Sequence, residues 1–552
     1  MRCRVLHQTM KLDCSCYALR RIIFFLACVI FIMMLQMLFS GDKQLLLSKE
    51  QVPRLMIFHR DYRTSVRPSR ISPRALFYLR ASVDNRTREQ VRDIVARAYN
   101  LPPLYGIKKR PHLASKCGTY PSLFNLSFNN IYWQVFHFSQ GTFYLYSAFF
   151  DNRTLTRPGP SVRILGMVNR IKLDVSTYCQ LWYRGEGTPV VAKVVEYRYL
   201  WVREWGNYRN GILQPYLLQC VIPESHRQRV PQSVSLVEGR CDQSTNNLQV
   251  VHNLPPKGQK QNFAICVKGM TFSDDVSVRL VEWLELQFLL GVDKVFLYNF
   301  EIHPNITKVL KFYESQGKVV LKSLTLAGEQ PIIRGLVELY EYLNTKVMHK
   351  LQQEVIPYND CLYRNMNLYK FIVLIDTDEV IMPRTVPGWK ELLKQMAPQV
   401  MMGEGHPYAS YYARNVYFLD SMQDKHRWAM DVPRFMHMLQ HLYRAANYTA
   451  PTSYVKAFHD PQRVLTLHNH FPLSCLTPDC PYFRIPTEVA HLQHYRRECV
   501  SELLDLCPYY RSHTVEDDDI LKFKKPLLLG TLHTLRHLGF LQERWNLTQI
   551  EG

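Results

Sequence analysis

Residues 371–379 read FIVLIDTDE: five apolar residues, then three acids within four positions. The run has the length and composition of a strand buried on both faces. In an open α/β sheet, ligands bind beyond the carboxyl ends of the strands, so the acids stand where a ligand is expected. Residues i and i+2 of extended chain project to the same side, which lets Asp376 and Asp378 address one site. Three carboxylates this close repel one another unless protons or a cation intervene. A hard divalent ion that also binds diphosphate oxygens meets that need. Asp-x-Asp occurs by chance and acids often end strands, so the motif takes its meaning from its surroundings.

Working outward, NFAICVKG (262–269) is a second buried-strand run. Ser273, Asp274 and Asp275 then offer a helix cap and first-turn acids. Val276, Leu280, Trp283, Leu284, Gln287 and Phe288 follow at helical spacing, ending at Gly291. KVFLY (294–298) is the next strand, 306–316 the next helix, and KVVLKSL (318–324) the next strand. A long helix is expected from about 333 to 354, and a separate short one from PYND (357–360) through 367. Strands alternating with helices predict a mainly parallel sheet with helices on both faces, an α/β, Rossmann-like domain over 258–515. The stretch 516–552 shifts composition and reads as a peripheral appendage.

Upstream, 81–250 is expected to be a β-rich domain. WQVFHF, GTFYLYSAFF, SVRILGMV, VVAKVVEYRYLWV and SVSLV are short β-type runs separated by Gly, Pro, Asn and Asp, which predicts an antiparallel sheet or sandwich. Its aromatic residues suit a core, and secondarily a glycan-binding face. NNLQVVHNLPPKGQKQ (246–261) reads as a linker.

The chain has 552 residues, a formal charge of +21, 47% hydrophobic and 21% charged residues. That excludes a disordered chain, a collagen-like repeat and a polytopic membrane protein. The segment 22–39 (IIFFLACVIFIMMLQMLF) is about long enough to cross a hydrocarbon core of roughly 30 Å. Five basic residues against one acid precede it, and Asp42 and Lys43 cancel after it. The positive-inside bias predicts a signal-anchor with a cytoplasmic tail (1–21) and a lumenal body. A cleaved signal peptide would have a shorter apolar run and a small-residue exit. Residues 40–80 then read as a stem whose arginines are attracted to acidic glycans or lipid headgroups; nucleic acid is not expected there. Sequons begin at Asn85, Asn125, Asn152, Asn305, Asn447 and Asn546, all beyond the anchor. The ten cysteines beyond it permit several disulfides without revealing their pairing. Cys475 and Cys480, near His468, His470, His491 and His494, suit a loop disulfide, with zinc as the rival.

The blocks EWLELQFLLGVDKVFLYNFE (282–301), YNDCLYRN (358–365), IDTDE (375–379), KAFHDPQRVLTLHNH (456–470) and AHLQHYR (490–496) together resemble glycosyltransferase family 92. LYSAFFDNRT (145–154) is similar to that family's opening segment. The resemblance implies a GT-A-type, metal-dependent β-1,4-galactosyltransferase of the Golgi membrane, type II in topology. It implies an inverting transfer from UDP-galactose to a galactose or fucose acceptor on glycoprotein glycans. Asp378, with Asp376, would hold Mn2+, and His470 is the first choice for an added ligand, with His468 and His494 in reserve. The nucleotide would lie over Val267, Lys268, Tyr298, Asn299, Asp360, Arg364 and Asp376, with Lys456 and Arg496 near the phosphates. An inverting reaction needs a base, and the acids after the metal strand form the pool: Glu379, Glu404, Asp420, Asp424 and Asp431. Asp431, near Trp428, is preferred, and Glu379 is retained. A transferase-like glycan-binding protein without activity is the alternative of another class, as is a two-metal phosphoester hydrolase.

Overall fold

The computed structural model describes residues 98, 100–102, 117–328, 336–398, 408–423, 426 and 428–541. The expected tail, anchor and stem, the sequons at Asn85 and Asn546, and Glu404 and Asp424 lie outside these. Among the described residues, no helix is long and apolar enough to cross a membrane.

The first nine strands are β1 (Phe128–Asn130), β2 (Trp133–Phe138), β3 (Gly141–Asp151), β4 (Ser161–Val168), β5 (Tyr178–Trp182), β6 (Val190–Tyr199), β7 (Gln214–Val221), β8 (Ser233–Val237) and β9 (Leu248–Val251). They pair in the order β1-β2-β3-β4-β7-β6-β5-β8-β9, and β9 also pairs with β3. That last, parallel pairing closes the sheet into a barrel, where the short β-type runs predict an antiparallel sheet or sandwich. Phe143, Leu145, Ile164, Leu181, Leu218 and Leu236 fill its interior. Closure leaves fewer unpaired backbone edges than an open sheet. Cys179–Cys220 and Cys117–Cys241 are disulfides within this part.

The second part runs β10 (Gln261–Phe272), α1 (Ser277–Leu289), β11 (Lys294–Ile302), α2 (Pro304–Ser315), β12 (Val319–Ser323), α3 (Leu336–Thr345), α4 (Val347–Asn365), β13 (Tyr369–Leu374) and β14 (Glu379–Pro383). It continues through α5 (Trp389–Met396), β15 (Ser410–Ala413), β16 (Asn415–Leu419), α6 (Asp420–Gln423), α7 (His437–Gln440), β17 (Tyr443–Ala445) and β18 (Lys456–His459). Last come β19 (Val464–Leu467), β20 (Pro472–Cys475), β21 (Tyr482–Arg484), β22 (Ala490–Arg496), α8 (Cys507–Ser512), β23 (Thr514–Glu516) and α9 (Lys524–His537).

The main sheet has the order β12-β11-β10-β13-β18-β15-β21. Its first four strands are mutually parallel. Successive residues face opposite layers. Phe263, Ile265, Val267, Phe371 and Val373 join the core under α1, α2 and α9. Ala264, Cys266, Ile372 and Leu374 join the core formed with α4 and the barrel residues Trp133, Tyr146 and Phe149. The barrel's outer face therefore packs with α4 on this side of the sheet, in a layer distinct from the barrel's own interior. Chain order turns back between β10 and β13, the position at which open α/β sheets leave a crevice for ligands.

Two expected boundaries move. Helix α4 continues through Pro357, where a break had been expected. Residues 352–363 are buried throughout, and Asn359 binds both the Val355 carbonyl and Leu467 of β19. Tertiary contact outweighs the lost helical hydrogen bond. The supposed appendage is also part of the core: Leu527, Leu528, Leu532 and Leu535 of α9 are buried in the layer that holds α1. Asn152, in a sequon, is exposed between the buried Asp151 and Arg153.

Candidate active site

The strand-end acids occupy a turn rather than extended chain. β13 stops at Leu374; Glu379 N donates to the Asp376 carbonyl at 3.1 Å, and Asp376 N donates to Glu379 Oε2 at 2.9 Å. In a turn the i, i+2 rule lapses, and Asp376 and Asp378 meet different partners.

Asp376 lies between two lysines. Lys268 Nζ, from β10, is 3.2 Å from its Oδ1, and Lys456 Nζ, from β18, is 3.2 Å from its Oδ2. Those strands flank β13, so sheet order itself delivers both cations. Burial works to raise the Asp376 carboxyl, but Lys268 and Lys456 hold it well below the ordinary carboxylate range. Lys456 is fully buried and also lies 3.2 Å from Glu379 Oε2, whereas the Lys268 side chain is 32% exposed. Lys456 is thus internal glue, and Lys268 is the cation that a ligand can reach. Burial raises the Glu379 carboxyl despite Lys456.

Asp378 is the open acid, with its side chain 43% exposed. His494 Nε2 is 3.5 Å from its Oδ2. The register of β14 on β22 sets this histidine opposite Glu379, and Tyr495 N donates to the Asp378 carbonyl. His494 Nδ1 donates to Asn415 Oδ1 at 3.1 Å, which leaves a lone pair on Nε2 of the neutral ring. An imidazole lone pair facing a carboxylate is a donor set that a divalent ion satisfies, and an oriented Nδ1–H is the usual support for such a ligand. Asp378 and His494 therefore fit a metal directly, while both Asp376 oxygens already answer to ammonium groups. Beneath them, Glu354 Oε1 and Tyr358 Oη on α4 are buried without hydrogen-bond partners, as is Asn299 Oδ1 on β11. Orphaned polar atoms at this end of the sheet suit a polar ligand.

The other expected residues are distributed unequally. Tyr298 Oη, Lys322 Nζ and Arg364 Nε converge on the buried Asp360 at 2.7, 3.3 and 2.7 Å. Burial opposes ionisation of Asp360, but Arg364 and Lys322 hold it well below the ordinary range. Arg364 is thereby turned onto a protein carboxylate. Val267 is buried within β10, paired with Leu297. His470 sends Nδ1 to the Val455 carbonyl at 3.1 Å, and burial lowers it to about 3. The His468 ring lies 4.5 Å from that of Trp205, tilted by 42°. Arg496 ends β22 and adds positive charge near Asp378. Asp431 is 71% exposed and ion-paired with Lys524 of α9, and its carboxyl is lowered by that hydrogen bond. Among the described residues no contact joins it to the acidic turn. Cys475 and Cys480 form a disulfide, as do Cys266–Cys361 and Cys499–Cys507. Zinc on the first pair is thereby excluded. Glu354, Tyr358 and Asn415 escaped the sequence reading; the i, i+4 spacing of Glu354 and Tyr358 on one helix face was the available signal.

A parallel sheet whose switch point gathers two lysines, an open aspartate and an oriented histidine offers a place for an anionic ligand. Residues 261–528, a little under half of the chain, match the family model described as glycosyltransferase family 92. A "Beta-1,4-galactosyltransferase galt-1" of Caenorhabditis elegans is 25% identical over 177 residues, which is 31% of this chain. The chain spans 38% of that relative's length. The structure of the WbbM bifunctional glycosyltransferase in its apo form is 11% identical and covers 40% of this chain and 36% of that one. Its TM-score of 0.18 is too low to bear on the fold.

Proposed function

We propose that the protein is a Golgi-membrane galactosyltransferase of GT-A type. It would move galactose from UDP-galactose to a galactose or fucose acceptor on glycoprotein glycans, with inversion and a β-1,4 linkage. The observation that carries this reading is the acidic turn at the sheet's switch point, where the exposed Asp378 faces Nε2 of the buried His494 beside Lys268. The similarity to the C. elegans enzyme supports the choice of galactose. The apolar segment 22–39 supports a lumenal body held by a signal-anchor.

Asp378 and His494 would hold Mn2+, with Asp376 behind them. Bound there, the ion would neutralise charge on the departing diphosphate. Lys268 offers its ammonium to a phosphate oxygen, and its pairing with Asp376 keeps it protonated. Asn415 holds the His494 ring in the tautomer whose Nε2 faces the ligand. Lys456 fixes the turn from below. Glu379 meets both Asp376 N and Lys456 through Oε2, and its Oε1 lies 3.7 Å from His494 Nδ1, so its geometry is that of a brace rather than of a base reaching an acceptor.

The test uses the full chain in detergent with Mn2+, a panel of UDP-sugars and galactose- or fucose-terminated glycans. Galactose transfer is expected, with Asp378→Asn and His494→Gln both losing turnover and Mn2+-dependent UDP binding by calorimetry. UDP binding indifferent to Mn2+, together with undiminished turnover by Asp378→Asn, would overturn the proposal. Binding of glycans without any transfer would favour the inactive lectin-like reading.

A further inference from the structure

Another side-chain cluster stands apart from the acidic turn. Asp420 begins α6, directly after β16, and His437 begins α7. His437 Nε2 lies 3.2 Å and His441 Nε2 3.1 Å from the same oxygen, Asp420 Oδ1. The two rings are 4.3 Å apart, and both lie against the Tyr495 ring. One side opens onto a cavity of about 330 Å³ lined by Arg279, Trp428, Arg434 and Phe435.

The hydrogen-bond bookkeeping of His441 is informative. Its Nδ1 lies 2.6 Å from the His437 carbonyl, which can only accept, so the ring proton is on Nδ1. The neutral ring then turns a bare Nε2 toward a carboxylate oxygen. A proton or a metal ion must lie between them to relieve the repulsion. The ligand atoms of Asp420, His437 and His441 all lie within 4.8 Å of one another, close enough to share one ion. Two other clusters differ. The carboxylates of Asp517 and Asp519, beside His491, are bound by Arg444 and Arg384. Cys499 and Cys507, beside Glu498, are joined in a disulfide.

We propose that Asp420, His437 and His441 form a binding site for a zinc-like divalent transition ion, separate from the ion expected at Asp378. Two imidazoles and one carboxylate are a donor set for such ions, and three protein ligands leave a position open to water or ligand. The site ties the end of β16 to α7. Helix α7 is anchored a second time by Glu282 of α1, which accepts from Met438 N and Leu439 N at 3.0 Å. The ion would thus lock the two ends of the 420–441 stretch, which carries Trp428.

The test is zinc titration of the EDTA-stripped full chain in detergent, in the Asp378→Asn background so that the first site does not contribute. One equivalent should bind, and His437→Gln or His441→Gln should weaken that binding at least about tenfold. On the unsubstituted chain, zinc should shield His437 from diethyl pyrocarbonate, read by peptide mass. This second measurement needs no variant to fold. Failure of Asp378→Asn to bind zinc, indifference of the affinity to both histidines, or unshielded His437 would each overturn the site. None of these outcomes depends on whether the protein transfers galactose.

Discussion

Arg153 uses its guanidinium entirely inside the protein, and Arg153→Met removes it with little change in bulk. Nε and Nη2 each bind Asp151 at 2.8 Å, and Nη1 binds the carbonyls of Pro461 and Val464 at 2.6 and 2.7 Å. The side chain is 1% exposed and that of Asp151 is fully buried. Breaking a buried pair by removing one partner costs about 3–5 kcal/mol. Arg163, 3.3 Å from Asp151, remains and favours the lower end of that range. The unfolding equilibrium should therefore shift roughly 10²- to 10³-fold.

The pH dependence follows from Asp151. Burial would raise its carboxyl, but Arg153 and Arg163 hold it well below the ordinary range. Its contribution is thus present above the unfolded value near about 3.9 and is lost only as pH falls through the native one. With Arg153 gone the native value rises, so the variant's deficit should be largest near neutral pH and shrink toward pH 4. Urea midpoints of the full chain, followed by circular dichroism at several pH values, measure this. A loss below about 1 kcal/mol, or one that does not change with pH, would refute the reasoning.

Burial pushes the Glu282 carboxyl up to about 7, so the native state loses stability as pH rises through the window between the unfolded value and that one. Glu282→Gln keeps an acceptor for α7 without the charge, and its urea midpoint should gain on the parent as pH rises through this window; parallel curves would contradict it. Lys268→Met should weaken UDP binding roughly tenfold or more, by loss of a charge-assisted contact, with the fold intact by circular dichroism. Unchanged affinity would remove Lys268 from the donor site. Asp431→Asn should leave turnover within about twofold and stability within about 0.5 kcal/mol, because its partner Lys524 is a surface one. A collapse of activity would restore Asp431 as a base.

Much of the α/β frame was legible because its signals are local. The apolar runs at 262–269, 294–298 and 371–375 lie within β10, around β11 and at β13, and the spacing from Val276 to Phe288 marks α1. The helix at Pro357 was misread because proline's local penalty is visible in sequence while the burial that offsets it is not. The place of α9 was missed for the same reason, since its leucines have meaning only beside α1.

The sequence by itself determined that an acidic motif follows a buried strand in an alternating α/β segment, and that aromatic strands precede it. Periodicity and composition are properties of neighbouring residues, so a one-dimensional reading reaches them. Tertiary structure alone decided that β9 closes a barrel on β3, and that Lys268 and Lys456 arrive from opposite sides of β13. It also decided that His494, rather than His470, stands opposite Asp378. Strand order and register bring together residues 80 to 116 positions apart, and nothing in their local surroundings records which partner they meet.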